Sequence, residues 1–263
     1  MKRKQQTAMI TAVVFLIVFL TSAIVVISYF RESQKQEAAF QELEHIAEKE
    51  TDSTRGETGS SEEADDKDET SVSEYEVLSE KNPDFWGWIK IEGTQLSYPV
   101  MHTPNDPEHY LRRDFDGNDS TRGVPFLDGA CSDNCENYII YGHHMKDGTM
   151  FGSLLSYAKK DYWEAHPTIQ LSTSEGQATY TILAAFYAKV YNQEDSGVFR
   201  YYQYTDLSNS DRFNEYVEQI KASALYDTDI ETQPGDQLLT LSTCSYHTKS
   251  GRFVVVARKD ACD

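Results

Sequence analysis

Apolar positions along the chain change rhythm twice. Residues 7–30 contain no charged side chain, with Lys2, Arg3 and Lys4 ahead of them and Arg31 behind. About 20 apolar residues span a bilayer as a helix, so the pattern predicts a transmembrane anchor over 7–30 behind a short tip, residues 1–6. The run is too long for the apolar core of a cleavable signal peptide. Basic residues before it and acidic ones after it place the tip in the cytoplasm and the rest outside a cell membrane crossed once. From 31 to 74 the pattern turns polar, with clusters such as "TGSSEEADDKDETS". Such a composition buries too little to offset ordering entropy, which predicts a mostly disordered acidic stalk over 31–74. Phe40, Leu43, Ile46 and Ala47 keep helical spacing in its first half and permit a short helix there.

Beyond residue 75 the rhythm is that of a folded domain, 75–263, aromatic-rich and long enough for one buried core. "SEYEVLSEKNPDF" predicts a short helix from a Ser73 cap to Pro83. "GWIKIEG" and "LSYPVM" read as strands around the turn at Gly93, followed by an irregular Pro/Asp/Asn-rich stretch, "GVPFLD", and an apolar strand over 137–145 ending in Gly-His-His. "SLLSYAKKDYWEAH" has helical spacing, "TIQLST" and "ATYTILAAFYAKV" form a hairpin, and "NSDRFNEYVEQIKASALY" is a capped helix with Phe213, Tyr216, Val217 and Ile220 on one face. "QLLTLST" and "RFVVVAR" supply two further strands. The count predicts a mainly β domain, a barrel or sandwich decorated by helices.

Charge narrows the partners. With −10 in the stalk and +3 at the tip out of a net −19, the domain carries −12, which disfavours nucleic acid. The four cysteines form no metal-ligand pattern, and no metal or other cofactor is expected. Outside a membrane, Cys131 and Cys135 could close a small loop as a disulfide or remain free thiols, and Cys262 lies one residue from the terminus.

Cys244 and His143 end predicted strands and Arg252 begins one, and chain-distant strand ends meet on one rim of a β domain. A cysteine in such a place is often a small buried hydrophobe, and a histidine or arginine is often ordinary surface. Together the three support acyl transfer: cationic neighbours favour the thiolate, imidazolium can protonate a leaving amine, and a guanidinium can hold an oxyanion. His144 and His247 read as bystanders, His144 facing away from His143 if the strand persists and His247 lying in the loop after Cys244.

"TLSTC" followed eight residues after the cysteine by the arginine of "GRFVVVAR", with "YGHHMKDGTMFGSL" and "FWGWIKIEGTQLSYPVM" upstream, resembles the sortase family, class B in particular. The likeness covers most of 75–259. It implies an eight-stranded β-barrel with an N-terminal helical extension and a long helix before the nucleophile strand. It also implies Cys244 as nucleophile with His143 and Arg252, and a groove to which Tyr141, Ser242 and Leu111 contribute. The implied reaction is transpeptidation: a C-terminal sorting signal of a secreted protein is cut after threonine, held as a thioester, and passed to an amine, usually of a cell-wall peptide precursor. Some relatives polymerise pilins instead. A papain-type hydrolase is disfavoured by the cysteine following the histidine. A non-enzymatic binding module with a structural Cys244 is the other alternative.

Overall fold

A computed structural model describes residues 2–53, 69–132 and 135–261. The chain divides into two compact units, Met1–His45 and Ile46–Asp263. Lys2–Ser53 (α1) is one continuous helix and Glu69–Lys81 (α2) a second. Of the segment 31–74, residues 31–53 continue α1, in line with the helical spacing its first half keeps, and residues 69–74 open α2. Its Ala, Glu, Gln and Lys are strong helix formers, and a helix already nucleated extends at little cost. Residues 54–68, also assigned to the stalk, lie outside the described residues. The anchor predicted over 7–30 gains no support here, because among the described residues no helix is long and apolar enough to cross a membrane.

Eight strands follow: Phe85–Lys90 (β1), Ser97–Met101 (β2), Phe126–Leu127 (β3), Asn137–Gly142 (β4), Thr168–Thr173 (β5), Gly176–Lys189 (β6), Leu238–Cys244 (β7) and Gly251–Lys259 (β8). They close a barrel in the order β1-β2-β3-β4-β7-β8-β6-β5. Most pairs are antiparallel, but β2 runs parallel to β3 and β4 parallel to β7. Closure removes free sheet edges and leaves an interior filled by side chains such as Ile89, Val100, Leu239 and Val255, all fully buried. The eight-stranded, mainly β fold expected from the sequence is present.

The barrel has a second covered face. Lys160–Ala165 (α3) and Ser210–Ser223 (α4) are the remaining α-helices among the described residues. Asn209 caps α4 through bonds from the Asp211 and Arg212 amides, and Phe213, Tyr216 and Ile220 point into a cluster with Val254, Val256 and Leu238. Each such side chain contributes about 1.5–3 kcal/mol by leaving water. The Tyr216 hydroxyl pairs with Thr240 Oγ1 at 2.9 Å, tying the helix to β7. The "SLLSYAKKDYWEAH" segment is not one helix: Phe151–Ala158 winds as a 3-10 helix before α3. Cys131 and Cys135 are buried free thiols, both donating to the Asn137 carbonyl, at 3.6 and 3.4 Å.

Candidate active site at the ends of β4, β7 and β8

β7 delivers Cys244 at its last position, and β8 returns Arg252 directly opposite it. The Ser245 amide donates to the Gly251 carbonyl at 3.0 Å. That bond marks Cys244 and Arg252 as a non-hydrogen-bonded antiparallel pair, the kind in which side chains stand closest. On the other flank β4 runs parallel to β7 with Gly142 opposite Thr243, so His143 leaves β4 beside the end that carries the sulfur. The Thr243 hydroxyl donates to the Gly142 carbonyl at 2.8 Å and ties the two strand ends together.

The predicted strand 137–145 stops at Gly142 because the chain changes partners there. Phe151 donates its amide to the His143 carbonyl at 3.0 Å, and His144 bridges Met150. Gly142 permits this turn of the chain: a Cβ on it would stand 2.6 Å from the buried Phe151 ring. His143 Nε2 lies 2.8 Å from the Leu111 carbonyl. A carbonyl only accepts, so Nε2 carries the proton and Nδ1 is left for the cleft. Burial holds the His143 pKa below its ordinary 6.5, and the positive Arg112 acts the same way, against the Leu111 carbonyl, which favours the charged ring.

These side chains line one cleft of about 520 Å³ with Leu111, Tyr141, Tyr201, Ser242 and Thr243, a volume suited to a short extended peptide. Tyr141 donates its hydroxyl to Asp128 Oδ2 at 2.8 Å. The buried Ser242 hydroxyl is engaged by Tyr201 at 2.7 Å. Burial pushes the Tyr201 phenol up to about 12, with Ser242 and the Arg252 charge acting against it. Arg252 keeps one Nη on the Gly251 carbonyl at 3.0 Å and is half-buried at the rim. Among the described residues no cluster of histidines, cysteines and carboxylates could hold a metal ion.

A family profile described as sortase domain matches residues 89–260. The chain belongs to the sortase family. It is 31% identical over 189 residues to sortase B of Staphylococcus aureus, spanning 70% of this chain and 74% of that protein. It is 30% identical to sortase B of Listeria monocytogenes over 69% and 72% of the two chains. A solved S. aureus sortase B with its substrate superposes with a TM-score of 0.73 at 26% identity, covering 89% of this chain and all of the other. Sortase B of B. anthracis superposes at 0.69 with 28% identity, over 88% and 98% of the two chains. The protein is thus a class B sortase, a cysteine transpeptidase.

The sortase brings all six sequence-selected residues, Leu111, Tyr141, His143, Ser242, Cys244 and Arg252, to one cleft. His247 stands apart from them, its Nδ1 on Ser245 Oγ at 3.0 Å and its ring against Tyr187. His144 is not among the residues lining that cleft; it lies beyond the end of β4, with its Nδ1 3.0 Å from the Cys244 carbonyl. Tyr201 and Asp128 escaped sequence reasoning. Tyr201 sits in an irregular aromatic run, "FRYYQY", without periodicity, and Asp128 carries no spacing that would single it out.

Proposed function

We propose that this sortase is a membrane-anchored enzyme that cuts a C-terminal sorting signal of secreted proteins after a threonine and transfers the new acyl end to an amine of a cell-wall peptide precursor. The observation that carries the reading is the register: Cys244 and Arg252 are cross-strand partners and His143 ends the neighbouring parallel strand, so three rigid elements converge on one cleft. The Cys244 proton passes to the neutral His143 imidazole, and the thiolate attacks the threonine carbonyl carbon while Arg252 holds the oxyanion. The C–N bond then breaks as His143 returns the proton to the departing amine, leaving a thioester. The acceptor amine attacks that thioester, the C–S bond breaks, and the amine's proton goes through His143 to the sulfur.

Two relatives support the substrate classes: one sortase B structure is described as a substrate complex, and another as a complex with triglycine, a peptide bearing a free amine. Anchoring rests on the sequence, on the uncharged run 7–30 with basic residues ahead of it and acidic ones behind. In that setting the domain faces outward. The test is incubation of the protein with a peptide library randomised around a fixed threonine, with and without triglycine. Peptide joined to triglycine is expected; cleavage that ignores triglycine and yields only hydrolysed product identifies a hydrolase instead.

A further inference from the structure

We propose that His144 is a positioning residue that locks the peptide plane following Cys244, a role that rests on the reading of Cys244 as the attacking nucleophile. The plane joining Cys244 to Ser245 is held on both sides. Its N–H, on Ser245, donates to the Gly251 carbonyl of β8 at 3.0 Å. Its C=O, on Cys244, therefore points the other way, toward the flank where β4 would have supplied a partner had it continued past Gly142. There the backbone ladder is missing, and the His144 imidazole replaces it, Nδ1 donating at 3.0 Å. This part-buried carbonyl, left without a donor, costs free energy and leaves the chain freer to rotate about it.

His144 is itself fixed. Its backbone bridges Met150, and the Met150 amide donates to the buried Tyr98 hydroxyl at 3.0 Å. Its ring lies against that of the exposed Tyr246 with centroids 5.4 Å apart. Rotation of the Cys244–Ser245 plane would swing the Cys244 side chain relative to Arg252 and His143. The two adjacent histidines thus divide the work: His143 presents Nδ1 to the cleft from the Leu111 carbonyl, and His144 holds the backbone that carries the sulfur. Because a carbonyl accepts only, the Nε2–H tautomer of His144 is excluded, whereas the neutral Nδ1–H form and the imidazolium both keep the bond.

The test compares the full chain in detergent as His144→Ala, His144→Asn and His144→Gln, measuring ligation to triglycine of the fastest peptide from the library. Small misplacement of a nucleophile costs rate and not ground-state binding, so His144→Ala is expected to lose about 10- to 100-fold in kcat with KM within about twofold. The Asn side-chain N–H sits where Nδ1–H sits, and this variant is expected to recover most of the rate, while Gln, whose amide reaches the Nε2 position, stays low. Wild-type kcat in His144→Ala overturns the role, as does equal recovery by Gln and Asn, or a loss in which KM and melting temperature move together with kcat. The two readings fail separately. Ligation that survives Cys244→Ala sinks the nucleophile assignment and this role with it, whereas full kcat in His144→Ala beside an inert Cys244→Ala sinks only the role of His144.

Discussion

Burial favours the neutral His143 imidazole over its charged form and so lowers its pKa, with the Arg112 charge acting the same way. Its folded pKa lies below the ordinary 6.5 that the unfolded chain shows, so between the two values the unfolded state binds more protons. Stability from this group is intact above about pH 6.5 and falls as pH drops toward the folded pKa. The wild type is therefore expected to lose more denaturant resistance than His143→Gln between about pH 7.5 and about 5.5, and an NMR titration of the ring to give a midpoint below that of free histidine. Equal losses in the two proteins would contradict the burial argument. Arg252 is expected to be as exacting in its own way: Arg252→Lys keeps the charge but not the planar fork, and should lose about 100-fold or more in kcat with a folded, normally melting protein. The meeting of Cys244, His143 and Arg252 was legible in the sequence because the first two stand at the ends of strongly patterned strands and Arg252 at the start of one. The role of His144 was not, since it depends on where β4 stops, and a Gly-His-His terminus fits a strand that stops or one that continues.

At the level of elements, the site is set by the parallel register of β4 against β7 and by the abrupt end of β4. Both strands were plain in the sequence as apolar runs, and α4 as a capped amphipathic helix, because tertiary packing asks of them what their residue pattern already favours. Which strands pair, and in which direction, is fixed by contacts remote in sequence and was beyond periodicity. At the end of β4, Gly142 leaves room for the Phe151 ring. Gly142→Ala would drive a methyl into the fully buried Phe151 ring. The expected outcome is a loss of about 1–3 kcal/mol of stability together with a fall in transfer rate larger than the loss of folded protein explains, measured by chemical denaturation and triglycine ligation. An Ala variant with wild-type stability and rate would show that the strand end tolerates displacement.

For the whole molecule, a closed eight-stranded barrel supplies the rigidity, and the tether proposed for α1 is a separate claim with its own test. Composition disclosed the change from uncharged run to acidic segment to folded domain, and the helix formers in the first half of the acidic segment continue along α1, as the helical spacing at Phe40, Leu43, Ile46 and Ala47 permitted. A chain beginning at Glu69 is expected to keep the rate of peptide transfer and to lose the membrane association of the full chain, read by fractionation and by ligation side by side. Recovery of the full chain in the soluble fraction would contradict the anchor. The acyl-transfer account itself is tested most directly by intact-protein and peptide mass spectrometry after mixing the enzyme with its peptide and no amine. The account predicts an added mass equal to the peptide up to its threonine, mapped to Cys244 and discharged as peptide joined to triglycine once that amine is supplied. An adduct on another residue, or cleavage that proceeds unchanged in Cys244→Ala, would contradict it.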